Sequence, residues 1–205
     1  MVMKRKYTAS STNDDDGESI LKSLKGSNIR KERNHIYFYT SVTEESILDL
    51  NILLRESILE NKKLELELGL DYGSLPIFLH INSDGGLLLD AFSTVDLIKS
   101  SNANIISIVE GSAASAATLI SVCCPKRQIT ANSMMLIHEL RGATWGKYSD
   151  AEIDMKNMSD MMKNLKNIYV KHTKLTLSEL NKILKQDRYW DSKKCLAKGL
   201  VDEIV

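Results

Sequence analysis

The sequence lacks the long apolar run and the charge surplus that mark several classes of protein. No stretch reaches about 18 consecutive apolar residues, so no transmembrane helix and no membrane partner are predicted. Lys and Arg together number 27, as do Asp and Glu, and this zero net charge argues against nucleic acid as a general partner. The basic start "MVMKRKYTASSTNDDDGES" has no apolar segment behind it, so no secretory signal is expected.

Cysteines are few, and a phosphate-binding loop is missing. Cys123, Cys124 and Cys195 are odd in number and lack metal-like spacing, so we predict reduced thiols in or near the core and a reducing compartment. No G-x-x-x-x-G-K-[ST] loop occurs, so any use of ATP would belong to a partner. With 43% hydrophobic and 26% charged residues, the 205-residue chain fits one soluble globular domain.

A polar N-terminal segment precedes a stretch in which strand-like and helix-like patterns alternate. Residues 1–34 are polar and charge-mixed, which predicts a flexible N-terminal arm, and residues 35–205 are predicted to form the folded domain. Strands are predicted over residues 35–40, 76–83 and 104–111. Strands that alternate with helices predict an α/β fold with a largely parallel sheet, whose sites gather beyond the carboxyl ends of the strands.

Three helical segments carry further expectations. A helix whose start can be capped by Ser41 with Glu44, or by Thr43 alone, is predicted to end before "LELELGLDYGS", which fits either a strand or a loop. The small-residue segment after the third strand is predicted to be helical from Ser112 onward. Residues 149–173 place apolar side chains at intervals of about 3.6 residues, which predicts one long amphipathic helix.

The segment "EGSAASAATLISV", residues 110–122, contains the strongest candidate nucleophile. Ser115 lies where a strand ends, a glycine turns the chain and a helix of small residues begins. Free backbone N–H groups and the positive end of a helix dipole stabilise an oxyanion at such a place. The alternative is a helix that packs closely through small side chains and has no catalytic serine. The residues alone leave both interpretations open.

The segment "NSDGG", residues 82–86, offers a second part of a site. A glycine that follows a strand presents its backbone N–H without a Cβ in the way. Gly86 is therefore a candidate oxyanion donor, together with the backbone N–H of Ala116. The alternative is a plain turn from a strand into a helix.

A catalytic serine needs a base, and the sequence offers four histidines. His138 ends the apolar run "SMMLIHEL" at the carboxyl end of a strand, which makes it the best candidate by position. His35 and His172 are expected at the surface. His80 lies inside an apolar strand and is expected to be a hydrogen-bonded core residue.

Together these segments resemble the family of the proteolytic subunit of the Clp protease, ClpP. The matching stretches follow the family order and are "HINSDGG", "EGSAASAA", "ANSMMLIHEL", "GKYSDAEIDM" and "KGLVDEIV". The resemblance covers about residues 36–205 and is strongest over residues 79–153. It implies the ClpP/crotonase-like fold, with stacked, largely parallel β-sheets, surrounding helices and a protruding handle helix that residues 149–173 match.

The resemblance implies a serine endopeptidase without metal or other cofactor. Ser115 matches the family nucleophile, and His138 matches its general base. The two family positions whose N–H groups line the oxyanion hole correspond to Gly86 and Ala116. Asp84 stands where the family usually has proline, which puts a carboxylate near the substrate path.

The third member of the triad departs from the family pattern. An ungapped match places the family aspartate on Ile183, which cannot orient a histidine. Glu179 and Asp187 are each four residues away, and we retain Asp187 as the candidate acid, although it matches a different family position. Losing a triad acid lowers turnover by roughly 10⁴. Three versions stay open: a triad with a substituted acid, a slow dyad, or a subunit that works mainly inside a mixed assembly.

The resemblance also implies partners. Family members form two stacked seven-membered rings, a tetradecamer that encloses the active sites, and an AAA+ unfoldase of the Clp type supplies unfolded protein chains. The N-terminal arm, residues 1–34, matches the region that lines the axial entrance. The expected location is the cytoplasm or an equivalent reducing compartment, such as an organelle stroma or matrix.

Two hypotheses from other classes remain. The first is a catalytically weak or inactive structural or regulatory subunit of a mixed ring, which Ile183 favours. The second is a crotonase-type acyl-CoA enzyme, which shares the fold and the paired backbone oxyanion donors. A crotonase would not need both Ser115 and His138, so their joint presence disfavours it.

Overall fold

The computed structural model of the protein describes residues 28–142 and 146–205, in which strands and helices alternate around one sheet. The strands are β1 (Ile29–Glu32), β2 (His35–Phe38), β3 (Ile77–Ser83), β4 (Ile105–Ala114), β5 (Lys126–Ile129), β6 (Met134–Leu136), β7 (Trp190–Asp191) and β8 (Glu203–Ile204). The helices are α1 (Glu44–Leu68), α2 (Leu88–Ser101), α3 (Ala116–Val122), α4 (Tyr148–His172), α5 (Leu177–Ile183) and α6 (Ser192–Lys198).

The sheet has the strand order β1-β2-β3-β4-β5-β8, with β6 paired to β4 and β7 paired to β6. The β1–β2 and β6–β7 pairs are antiparallel, and every other pair of strands named here is parallel. In β3, Ile77, Leu79 and Ile81 are fully buried in the hydrophobic core. This arrangement confirms the predicted α/β class with a largely parallel sheet.

The N-terminal part of the described chain is a strand that the sequence did not indicate. Residues 29–32, which we assigned to the flexible arm, form β1 and pair with β2 from Ile29–Phe38 to Glu32–His35. Cross-strand pairing supplies the order that the polar sequence of this segment does not predict. Residues 1–27 of the predicted arm lie outside the described residues.

Helix α1 is longer than the sequence predicts. Of the two predicted caps, the structure has Thr43, which accepts a hydrogen bond from the Ser46 backbone N–H, and the helix continues through "LELEL" to Leu68. The alternating Leu–Glu pattern suggested a strand, but both residue types favour helices. Gly69 ends α1 in the left-handed conformation, with φ 66°.

Strand β4 runs further than predicted and so sets the position of the candidate nucleophile. Residues 112–114, which we expected in a helix, pair in register with β6. The first half of β4 pairs with β5 on the same side. Strand β4 therefore has two neighbours on that side, and α3 begins only at Ala116.

Helix α4 confirms the predicted long amphipathic helix. Leu165 and Tyr169, in its C-terminal half, are its buried residues. The N-terminal half leaves Tyr148, Ile153 and Met155 more than half exposed. Helix α4 therefore enters the core through its C-terminal half.

In residues 28–142 and 146–205, no helix has the combination of length and apolar character that crossing a membrane requires.

Candidate active site

Ser115 lies at a sharp turn between β4 and α3. Its backbone has φ 54° and ψ −127°, outside the ordinary regions for a residue with a side chain. Its amide donates to the Leu136 carbonyl at 2.8 Å, and its carbonyl accepts from the Thr118 hydroxyl at 2.6 Å. These bonds hold the serine in a strained conformation, of a kind that collects at functional sites.

Gly85 lies directly against this turn. A methyl group on Gly85 would lie 2.6 Å from the Ser115 Cβ and 2.5 Å from the Ala114 carbonyl oxygen. Its φ of 88° also belongs to the region that favours glycine. The first glycine of "NSDGG" therefore allows the two turns to touch, a role that the sequence analysis did not assign to it.

The predicted oxyanion donors, Gly86 and Ala116, both have unused backbone N–H groups. The residues on either side of Gly86 bond to Val42: the Val42 amide donates to the Gly85 carbonyl at 2.8 Å, and the Leu87 amide donates to the Val42 carbonyl at 2.9 Å. In this parallel bridge the Gly86 N–H therefore points away from Val42. Ala116 is the first residue of α3, where an N–H has no acceptor within the helix. Neither amide donates a hydrogen bond to any described residue.

Strand β6 brings His138 to the same end of the sheet. Its last residue, Leu136, pairs with Ala114 and accepts the Ser115 amide, and His138 follows two residues later. The His138 side chain is 12% exposed. Within the described chain, no hydrogen bond joins it to the Ser115 hydroxyl, as is common in substrate-free enzymes, whose catalytic contacts tighten on binding.

Asp187 is the carboxylate that approaches His138. Its Oδ1 lies 3.9 Å from His138 Nδ1, beyond hydrogen-bond distance, and its Oδ2 pairs with the Arg141 guanidinium. Nδ1 is buried and has no hydrogen-bond partner in the described part of the chain. A buried polar atom in this state costs about 1–3 kcal/mol, whereas an exposed ion pair contributes about 0–1 kcal/mol. The Asp187 carboxylate therefore lies near His138 but binds Arg141.

The other candidate acid, Glu179, and the residue at the matched family position, Ile183, have different surroundings. Glu179 caps α5 by accepting from Thr176, and its second oxygen accepts from Lys198 at 2.8 Å. The Lys198 hydrogen bond, followed by those from Thr176, lowers the Glu179 pKa to about 2. Ile183 packs against the hydrophobic core. Both oxygens of Glu179 are thus committed to α5 and Lys198.

The remaining histidines differ in part from expectation. His80 is buried and hydrogen-bonded at both ring nitrogens, by His35 at 2.8 Å and Glu110 at 2.9 Å, which confirms a satisfied core histidine. The other oxygen of Glu110 accepts from the Tyr39 hydroxyl. His35 and His172 are half-buried rather than exposed. Burial, with nearby lysines adding to it, lowers the pKa of His172.

The cysteines are placed as predicted. Cys123, Cys124 and Cys195 are free and buried. Burial raises their thiol pKa values to about 11, 12 and 12, which suppresses the reactive thiolate. The described residues contain no group of three or more His, Cys, Asp or Glu side chains that could hold a metal ion.

Comparison with known proteins identifies the family. The model of the Clp protease family matches residues 30–205, which is most of the chain. The chain belongs to the Clp protease family. This membership confirms the resemblance drawn from the five short stretches and disfavours the crotonase-type alternative.

A curated relative gives the same family. The chain is similar to ATP-dependent Clp protease proteolytic subunit 1 of Protochlamydia amoebophila (strain UWE25), with 31% identity over 134 residues. That alignment covers 63% of this chain and 65% of the relative, so the match spans less than two thirds of the relative's length.

Proposed function

We propose that this Clp family chain is a serine endopeptidase in which His138 activates Ser115. The Ser115 oxygen attacks a peptide carbonyl while its proton passes to His138. The N–H groups of Gly86 and Ala116 then bind the oxyanion of the tetrahedral intermediate. His138 returns the proton to the leaving amine, and water hydrolyses the acyl-enzyme. No metal or other cofactor takes part in this scheme.

The observation that supports this proposal most is the conformation of Ser115. A serine in the strained φ 54° conformation stands at the end of β4, packed against Gly85. A helix that needed only small side chains for packing would not require this strain. The unused amides of Gly86 and Ala116 add the donors that an acyl transfer requires.

A fluorophosphonate probe tests the nucleophile. We expect covalent labelling of the purified full-length chain at Ser115, identified by peptide mass spectrometry, and loss of labelling in Ser115→Ala. Ser112→Ala is the matched control, because Ser112 lies in the same segment but pairs with Met134 inside β4, and it should label normally. Labelling that survives in Ser115→Ala, or that never occurs in an assembled ring, contradicts the proposal.

We propose Asp187 as the third member of the site, in a weakly engaged form. Its 3.9 Å separation from His138 favours a slow, dyad-like enzyme over a fully oriented triad. The same observation supports the second candidate function, a catalytically weak or inactive structural or regulatory subunit of a mixed ring. In that case Ser115 stays unlabelled in pure rings of this chain, and Ser115→Ala leaves the activity of a mixed ring unchanged.

The partners are proposed from the family. We expect self-assembly into seven-membered rings, stacked as a tetradecamer, and delivery of unfolded proteins by an AAA+ unfoldase of the Clp type. Exposed apolar residues on α1 support self-association, because a stripe of this kind is usually covered in an assembly; they are Leu48, Ile52 and Leu59. Native mass spectrometry should find multiples of seven, and Leu48→Glu with Ile52→Glu should reduce them. The free, buried cysteines support a cytoplasmic or equivalent reducing compartment.

A further inference from the structure

Two cationic or proton-donating side chains compete for the carboxylate of Asp187. Arg141 binds its Oδ2 through Nη2, while His138 Nδ1 remains 3.9 Å from its Oδ1. An N–H···O hydrogen bond needs a separation of about 2.7–3.2 Å. Arg141 therefore makes a direct contact and His138 makes none.

The backbone keeps all three side chains within reach of one another. His138 and Arg141 lie in the segment after β6, which is tied to the end of α5 by the Glu139 amide, 2.8 Å from the Leu184 carbonyl. The short turn after α5, with hydrogen bonds from Gln186 and Arg188, carries Asp187. The Oδ1–Nδ1 separation of 3.9 Å exceeds hydrogen-bond distance by about 1 Å, so we expect a side-chain rotation of Asp187 to exchange Arg141 for His138.

The surroundings of the two partners are unequal. The His138 side chain is 12% exposed and its Nδ1 is buried without a partner, whereas Arg141 is 71% exposed. Water can replace the carboxylate at Arg141, but nothing in the described chain replaces it at Nδ1. A carboxylate released by Arg141 should therefore move onto His138.

We propose that Arg141 is a positioning residue that withholds the Asp187 carboxylate from His138 and thereby limits the reactivity of Ser115. This inference rests on the proposed function, in which Ser115 and His138 act together. Arg141 acts through Asp187 and touches neither the nucleophile nor the substrate in this scheme. When Arg141 is removed, Asp187 accepts a hydrogen bond from Nδ1–H, orients the imidazole and stabilises the imidazolium.

The test is Arg141→Gln in the full-length chain, with the rate of fluorophosphonate labelling at Ser115 measured against pH. We expect a plateau rate about ten-fold higher or more, a part of the roughly 10⁴ that an engaged triad acid supplies. The acid limb of the profile should move to higher pH, because a bonded carboxylate favours the protonated imidazole. Arg188→Gln is the matched control, since Arg188 is exposed, adjacent to Asp187 and without an ion pair among the described residues. It should leave rate and profile unchanged.

Two further measurements separate this inference from the proposed function. In Arg141→Gln, proton NMR of the histidine-labelled protein should show a downfield N–H resonance for His138 bonded to a carboxylate, absent from Arg141→Gln/Asp187→Asn. The double variant should also lose the gain in labelling. The role of Arg141 is overturned if Arg141→Gln shows the same His138 N–H resonance as the unchanged chain. It is also overturned if the faster labelling survives in Arg141→Gln/Asp187→Asn. Absence of labelling in every variant overturns the proposed function, while the resonance still decides about Arg141.

Discussion

Gly85 and Ser115 touch so closely that even one methyl group on the glycine would lie 2.6 Å from the serine Cβ. Real Cβ atoms do not approach at this distance, so a side chain at Gly85 forces one of the two turns to move. Because Ser115 is itself held in a strained conformation, we expect the turn that carries Ser115 to move.

Gly85→Ala should therefore lower the rate of Ser115 labelling by about 100-fold or more, as misplacement by about 1 Å does at other sites. The control is Gly69→Ala, because Gly69 also has a positive φ, 66°, but has no atom within 4 Å of an added methyl group. It should lower the free energy of unfolding by about 1 kcal/mol and leave labelling unchanged. Equal effects of the two variants on labelling would contradict the packing argument.

Asp187→Asn in the otherwise unchanged chain should have a small effect on labelling. Since Arg141 already holds the carboxylate, we expect the rate to fall by less than about ten-fold, against roughly 10⁴ for an engaged triad acid. Single-turnover labelling at the plateau pH measures this. A loss near the larger value would mean that Asp187 is fully engaged before Arg141 is changed.

A hydrogen-bonded chain links α4 to the turn at Ser115 and should contribute to stability. The Thr118 hydroxyl donates to the Ser115 carbonyl, so the buried Tyr169 hydroxyl donates to Thr118. Tyr169→Phe should cost about 1 kcal/mol, and Thr118→Val about 2 kcal/mol, because the second variant leaves the Tyr169 hydroxyl buried and unpaired. Urea unfolding at one fixed subunit concentration measures both, and the reverse order would contradict the direction of the chain.

The ion pair between Arg127 and Asp202 should make stability fall in acid. Burial opposes ionisation of Asp202, but the hydrogen bonds and charge of Arg127 outweigh it and hold the Asp202 pKa below its ordinary 3.8. A lowered folded-state pKa means that the contribution is complete above about pH 4–5 and is lost as the pH falls through the folded-state value. Asp202→Asn should remove this part of the pH dependence and cost about 1 kcal/mol at neutral pH, a modest value because the side chain is 39% exposed.

Urea unfolding of Asp202→Asn from pH 7 down to pH 3 measures this dependence. Asp49→Asn is the control, because Asp49 is exposed on α1 and has no ion pair among the described residues. A parallel pH dependence in Asp202→Asn and the unchanged chain would contradict the assignment to Asp202.

The sequence predicted most of the fold because its signals were local. The signals for the cap at Thr43, the apolar strand over 77–83 and the amphipathic helix α4 each lie in the residues of a single helix or strand. The sequence-based prediction failed where pairing between distant strands determines whether a segment is extended. Strand β1 and residues 112–114 of β4 are extended because they pair with β2 and β6, and local composition does not indicate this pairing.

The candidate site was predictable in its residues and not in its contacts. The two turns that carry Ser115 and Gly86 follow strands, so position and residue type were sufficient to nominate them. Gly85 against Ser115 and Arg141 against Asp187 join residues 30 or more positions apart. Their proximity depends on how separate turns meet, and the sequence carries no periodic pattern that would indicate it.

The double pairing of β4 divides the site into two parts with different resistance to opening. Ser115 continues from a central strand that is bonded to β3 on one side and to β5 and β6 on the other. Its amide should exchange with solvent deuterium only when the whole domain unfolds. Asp187 and Arg141 are exposed and lie outside helices and strands, so their amides should exchange through local fluctuations. Heat or mild denaturant should therefore move Asp187 away from His138 while Ser115 is still in place.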